Sequence, residues 1–88
     1  MELSRCSYTI LGILNKRKAI DKIHGLTINE ISKFERVSKR NTIHKKIKEL
    51  EEKGFVSEGV KAARAKTYYI TEVGSSILPI IKEEMDNV

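Results

Sequence analysis

The side chains best suited to binding chemistry in this sequence lie on one face of a helix predicted over residues 38–53. Ile43, Ile47 and Leu50 recur at helical spacing and define the buried stripe of that helix. At about 100° per residue, the exposed positions are mostly basic or hydrogen-bonding. They are Ser38, Lys39, Arg40, Asn41, Thr42, His44, Lys45, Lys46 and Lys48. Such side chains bind phosphates and base edges, so this face is predicted to contact duplex DNA.

The charges along this helix run against its dipole. Lysine and arginine stand in the first turns, whereas Glu49, Glu51 and Glu52 stand in the last ones. Cations are disfavoured at a helix N-terminus, and a phosphate backbone near that end would account for them. We expect Asn41 to bond adenine, lysine or arginine to bond guanine, and Thr42 to touch a thymine methyl group or a phosphate. Phosphate contacts are assigned to Lys39, Lys46 and the amides of Ser38 and Thr27.

A basic loop follows, between two strand-like runs. Within residues 59–66, Lys61, Arg64 and Lys66 alternate with small alanines that allow the loop to lie close against DNA. These three side chains are predicted to follow the DNA backbone or to enter the minor groove.

Length, charge and cysteine content limit the class of protein. The 88 residues are predicted to form one small domain, 1–88. The net charge is +5, and residues 36–70 carry ten basic against four acidic side chains, as expected of a surface that binds a polyanion. The single cysteine, Cys6, excludes an internal disulfide and a cysteine cluster for metal. It lies on an apolar helix stripe and is interpreted as a packing residue, with a redox switch as the alternative.

Other functional classes lack their signals. No apolar run approaches the roughly 18–20 residues of a membrane span, and no signal peptide is recognised, so we expect a cytoplasmic protein without membrane contact. No phosphate-cradling glycine loop and no nucleophile–base pair is discernible, so neither an enzyme nor a cofactor is predicted.

The apolar spacing predicts an α+β fold, mainly α, with a three-helix core, a two-stranded wing and a C-terminal helix. The predicted segments are an N-terminal helix over 1–18, a helix-turn-helix over 27–53, a wing over 55–71 and a C-terminal helix over 72–86. Thr27 and Glu30 fit a capping box that opens a helix of about 28–34. Leu26 is predicted to pair as a short edge strand, and Gly54 to end the basic helix.

Individual side chains receive assignments from the same pattern. Phe34 is placed on the buried face of its helix, and Val37 is expected to fill the angle between two helices. Tyr68 is predicted to point inward and Tyr69 outward, since they alternate along a strand. Pro79 is expected to kink or break the last helix.

Residues 27–78 resemble the winged helix-turn-helix of small bacterial and archaeal transcription regulators of the MarR and PadR kind. In those proteins Ser-x-x-Thr-apolar leads into the recognition helix; the counterparts here are Ser38 and Asn41-Thr42-Ile43. That helix closes with Leu-Glu-x-x-Gly, here residues 50–54, and the far wing strand leads into Ile-Thr-x-x-Gly, here residues 70–74. The resemblance implies a homodimer that reads two half-sites, with the first and last helices at the interface.

The leading hypothesis is a dimeric, sequence-specific transcriptional repressor that inserts helix 38–53 in the major groove and occludes a promoter. Two alternatives stay open. One is a plasmid or phage segregation or replication adaptor that binds repeated sites and also a protein partner through the acidic residues 83–86 of the C-terminal helix. The other is a winged helix that contacts only proteins.

Overall fold

Four helices and a small sheet make up the computed structural model, which describes residues 3–78. In chain order they are α1 (Arg5–Lys16), β1 (Leu26–Thr27), α2 (Ile28–Phe34), α3 (Arg40–Glu52), β2 (Val56–Glu58), β3 (Thr67–Ile70) and α4 (Glu72–Ser76). The sheet is antiparallel with strand order β1-β3-β2. This is the predicted α+β winged helix-turn-helix, with β1 as a third strand beside the two-stranded wing.

The core lies where α1, α2 and α3 meet and where the sheet closes over them. Each of these helices contributes an apolar stripe, and β3 adds Tyr68 and Ile70. The buried apolar side chains are Ile10, Leu11, Leu14, Ala19, Ile28, Ile31, Ile43, Ile47, Leu50, Phe55, Val56, Tyr68, Ile70 and Leu78. Tyr68 is buried as predicted, whereas Tyr69, predicted to point outward, is half-buried and packs against the edge of the core.

The edge strand predicted at Leu26 is present. Leu26 pairs with Tyr68, and Thr27 pairs with Thr67. On the other side of β3, Val56 pairs with Ile70, so the central strand of the sheet is the second strand of the wing. The wing is thereby joined to the segment that precedes α2.

Two helices end in the same backbone motif with different residues at its critical position. After α1, the amides of Lys18 and Ala19 donate to the carbonyls of Asn15 and Leu14, respectively. After α3, the amides of Gly54 and Phe55 donate to the carbonyls of Glu51 and Leu50 in the same way. Both patterns are Schellman motifs, which place one residue in the left-handed region. Gly54 has φ +81°, as predicted for the end of α3, and Lys18 has φ 59°.

The two sequence motifs at the ends of the wing meet in space. The Thr71 hydroxyl donates to the Gly54 carbonyl at 2.6 Å and accepts from the Gly74 amide at 3.1 Å, so one side chain caps α4 and binds the end of α3. The Thr71 amide donates to the Phe55 carbonyl at 3.0 Å. A Cβ on Gly74 would lie 2.2 Å from that carbonyl oxygen, so only glycine fits there.

A buried carboxylate organises the turn between α2 and α3. Glu35 Oε1 accepts from the amides of Val37 at 2.8 Å and Ser38 at 3.3 Å, and Oε2 accepts from Cys6 Sγ at 3.3 Å. Burial acts to raise the pKa of Glu35, but the hydrogen bonds from Ser38, Val37 and Cys6 together outweigh it and lower that pKa. The turn therefore contains an ionised group with nearly complete hydrogen bonding.

This carboxylate explains two departures from the sequence prediction. Val37 is 96% exposed rather than filling the angle between the helices, because the Glu35 side chain occupies that interior. The helix predicted over 38–53 begins at Arg40 with Lys39 as its N-cap, because the Ser38 amide is bound by Glu35 and its hydroxyl donates to Cys6 Sγ. Cys6 is half-buried against the core, and burial chiefly raises the pKa of its thiol.

Other predicted boundaries shift at the chain ends. The first helix, predicted over 1–18, runs from Arg5 to Lys16 with Ser4 as its cap.

Phe34 is 41% exposed rather than buried, and the Arg17 guanidinium lies 3.9 Å from the centre of its ring.

The C-terminal helix, predicted over 72–86, is helical for Glu72–Ser76 within the described residues. Leu78 is not helical, as expected of the residue before a proline. The predicted break at Pro79 and the acidic segment 83–86 lie outside the described residues.

The paired Schellman motifs predict opposite effects of two substitutions. Gly54→Ala should lower the free energy of unfolding by about 1 kcal/mol, because a Cβ in the left-handed region is strained. Lys18→Gly should raise it by a comparable amount, about 1 kcal/mol, by removing the same strain. Urea unfolding measures both. A loss of stability in both variants would contradict the assignment of φ as the cause.

Glu35→Gln tests the buried carboxylate. At pH 7 the variant should be less stable by about 1.5–3 kcal/mol, because hydrogen bonds to a charged acceptor are lost. Since the folded pKa of Glu35 is lowered, its contribution is complete above the unfolded pKa of about 4.3 and is lost as the pH falls through the folded value.

Urea unfolding of wild type and variant at pH 7, 5, 4 and 3 should therefore show a difference that shrinks toward pH 3. Glu52→Gln is the control, because Glu52 is exposed and no side-chain hydrogen bond or ion pair involves it within residues 3–78, so its difference from wild type should stay small at every pH. A pH-independent difference for Glu35→Gln would contradict an ionised Glu35.

Candidate nucleic-acid interface

The N-terminal half of α3 presents the predicted binding face to solvent. Every side chain in residues 39–45 is exposed except that of Ile43, and none of the exposed ones is acidic. The exposed side chains are Lys39, Arg40, Asn41, Thr42, His44 and Lys45. Lys39 supplies no side-chain hydrogen bond to the start of the helix. The first turn of α3 therefore offers cations together with amides that no capping side chain occupies.

Two predicted lysines of α3 lie at the sides of the helix and are already paired. Lys46 is half-buried, with Nζ 3.5 Å from Glu49 Oε2. Lys48 Nζ lies 3.5 Å from Glu51 Oε1 and 5.9 Å from the centre of the Tyr68 ring. The Tyr68 side chain, and after it the Glu51 carboxylate, raise the pKa of Lys48. The charges of Lys46 and Lys48 are therefore partly neutralised within the protein.

The amides assigned to phosphate at Ser38 and Thr27 are both engaged within the protein. The Thr27 amide donates to Glu30 Oε1 at 2.9 Å, and the Thr27 hydroxyl accepts from the Glu30 amide at 3.1 Å, which completes the predicted capping box. The Ser38 amide donates to Glu35. Each of these two amides thus already has a carboxylate acceptor in this structure, and phosphate binding by them stays a prediction.

One neighbour of the predicted face was missed from the sequence. Asn29, in the first turn of α2, accepts a hydrogen bond at Oδ1 from Arg40 Nε over 2.6 Å. Both side chains are exposed. Asn29 follows Thr27 by two positions in a segment read only for its capping box, and nothing in its spacing relates it to Arg40. Only the packing of α2 against α3 brings them together.

The wing ends in a two-residue turn. Ala62 and Ala65 exchange both backbone hydrogen bonds, at 2.9 and 3.0 Å, so Ala63 and Arg64 form the tip. Ala63 takes φ 58°. Lys61 and Arg64 are exposed, as predicted, whereas Lys66 Nζ lies 3.7 Å from Glu58 Oε1 across the hairpin. Arg64 is therefore an exposed cation in the turn at the tip of the hairpin.

Residues 3–78 lack two other features. No three His, Cys, Asp or Glu side chains within them are grouped closely enough to hold a metal ion. Among the helices of this part of the chain, none is long and apolar enough to cross a membrane.

Comparison with known proteins identifies structural but no sequence relatives. No protein-family model matches the sequence, and no curated protein is significantly similar to it. Among solved structures, TubR from Bacillus megaterium pBM400 superposes with a TM-score of 0.78 at 22% identity, covering 91% of this chain and 88% of that one. The DNA-binding TubR fragment from Clostridium botulinum has a TM-score of 0.72 at 28% identity, covering 92% of this chain and 99% of the fragment.

A transcriptional regulator of the MarR family from Silicibacter pomeroyi has a TM-score of 0.78 at 25% identity. It covers 97% of this chain, which spans 53% of the regulator. The elements α1 to α4 and the three-stranded sheet thus recur in proteins with little sequence in common. The chain has the winged helix-turn-helix fold of MarR-family regulators and TubR proteins.

Proposed function

We propose that the protein binds duplex DNA in a sequence-specific manner, with α3 in the major groove and the wing hairpin against the neighbouring backbone or minor groove. The observation that carries this proposal is the exposed, acid-free surface formed by residues 39–45. In helix-turn-helix proteins the N-terminal residues of the second helix contact base edges. Asn41, Thr42 and Lys45 have the hydrogen-bonding groups that such contacts use.

The electrostatics of the α3 N-terminus supports a phosphate nearby. Lys39 and Arg40 stand where the helix dipole disfavours cations, and no carboxylate within residues 3–78 forms an ion pair with either. A DNA backbone offsets this repulsion and accepts from the amides of the first turn. Arg64 and Lys61 add two exposed cations at the wing.

The finer role follows from the resemblance and the similar structures. We propose a cytoplasmic homodimer that acts as a transcriptional repressor by occluding a promoter, with its interface formed by α1 and the C-terminal region. This role is supported by the structural similarity to the Silicibacter pomeroyi protein, which is described as a transcriptional regulator of the MarR family. The 56% exposure of Val73 on α4, an apolar side chain open to a partner, supports the interface.

Selection of bound sequences from a random duplex pool, at two salt concentrations, tests the proposal. Enrichment of an inverted repeat with half-sites about one helical turn apart is expected of a dimeric regulator. Enrichment of tandem repeats would instead indicate the segregation or replication adaptor. No enrichment, with weak binding that vanishes as salt rises, would contradict specific recognition and favour the protein-contact alternative.

Neighbouring lysines of α3 provide a matched pair of variants. Lys45→Ala should weaken binding to the selected site by about 5- to 50-fold, because an exposed group that contacts DNA is lost. Lys46→Ala removes the same charge from the same helix but should weaken binding less, because Lys46 is half-buried and paired with Glu49. Fluorescence anisotropy measures both, and circular dichroism verifies that helical content is retained. Equal affinities of wild type and Lys45→Ala for the selected site would exclude this face of α3 from the DNA interface.

The wing makes a separate prediction about salt. Arg64→Ala should reduce the slope of log K against log salt by about 0.9, the value for one released counterion. Lys66→Ala is the control, because Lys66 pairs with Glu58 and should change the slope less. Titrations at four salt concentrations measure the slopes. An unchanged slope for Arg64→Ala would place the wing tip away from the DNA.

A further inference from the structure

Arg40 is held by a neighbour in a way that constrains how it meets a ligand. Its Nε donates to Asn29 Oδ1 at 2.6 Å, and no other hydrogen bond or ion pair involves the Arg40 side chain within residues 3–78. A guanidinium carries five N–H donors in one rigid plane. The bond to Asn29 takes the single Nε donor and leaves both terminal amino groups without a partner in the described residues.

Asn29 is itself well positioned to hold this plane. It lies in the first turn of α2, between the two residues of the Thr27–Glu30 capping box, whose hydrogen bonds of 2.9 and 3.1 Å fix that turn. Arg40 is the first residue of α3, just after the turn that Glu35 holds. Both ends of the contact therefore start from backbone that is fixed independently of the contact.

We propose that Asn29 is a positioning residue for Arg40, presenting the two terminal amino groups as a fork that reads one guanine in the major groove. This inference rests on the proposed function. Two parallel N–H donors match the O6 and N7 acceptors of guanine, a pairing that uses the end of the guanidinium and leaves Nε free for another acceptor. Asn29 thus contributes to base specificity without touching DNA.

The same fork can bind two oxygens of a phosphate, and base preference separates the two ligands. A phosphate contact changes affinity for all sequences alike, whereas a guanine contact changes it at one base pair. The observable is therefore discrimination: the affinity for the selected site divided by the affinity for the same site with one base pair replaced.

The experiment measures this ratio at every position of the selected site for wild type, Asn29→Ala, Arg40→Ala and the double variant. Arg40→Ala should remove roughly 5- to 150-fold discrimination at one G·C pair. Asn29→Ala should lower discrimination about 3- to 10-fold at the same pair, a fraction of that range, and should have no effect in the Arg40→Ala background. Asn29→Asp keeps an acceptor for Nε, so it should restore the ratio although its charge lowers overall affinity.

Each contrary outcome is distinct. Equal weakening of all sites by Asn29→Ala, with a smaller salt slope, would mean that the Arg40 fork binds a phosphate rather than a guanine, and would overturn the proposal. An effect that persists in the Arg40→Ala background would also overturn it, as would an Arg40→Ala variant with unchanged base preference. Failure of the wild-type protein to enrich any sequence would remove the proposed function itself, whereas the other outcomes leave that function standing. Circular dichroism of each variant excludes unfolding as the cause.

Discussion

The arrangement of the two helices at the candidate interface depends on a carboxylate buried in the turn between them. Glu35 accepts hydrogen bonds from the amides of Val37 and Ser38 and from the thiol of Cys6 in α1. A charge in that position is tolerated only because its oxygens are hydrogen-bonded. One side chain therefore fixes the turn and the direction in which α3 leaves it, and links both to the first helix. The orientation of the exposed face of residues 39–45 therefore depends on these contacts of Glu35.

Local regularities in the sequence predicted most of the fold. The Thr27–Glu30 capping box, the stripe of Ile43, Ile47 and Leu50, and Gly54 are signals that act within one or two helical turns, and each is found as expected. The failures concern side chains whose positions depend on how elements pack. Glu35 binds amides only two and three positions away, but its burial depends on α1, whose Cys6 thiol contacts the same carboxylate. The contact between Arg40 and Asn29 depends on the packing of α2 against α3.

The lysines of α3 perform two different tasks, which composition alone does not distinguish. Lys46 and Lys48 lie at the sides of the helix, where Glu49 and Glu51 partly neutralise them and Tyr68 supports the second. Lys39 and Lys45 form no ion pair within residues 3–78. The basic residues of this segment therefore divide into a set that is paired within the domain and a set whose charge is left to solvent or a ligand.

The closed tip of the wing has a consequence for the entropy of association. The paired hydrogen bonds between Ala62 and Ala65 set the backbone of the hairpin before any ligand arrives, even though Ala63 adopts a left-handed φ of 58°. An open loop of the same length would have to be ordered on binding, at about 1–2 kcal/mol per residue. In the proposed complex with DNA, only side chains such as Arg64 would lose freedom, at about 0.5–1.5 kcal/mol each. The hairpin is therefore preorganised by its two hydrogen bonds, at the cost of strain at Ala63. Its backbone shape does not depend on a partner.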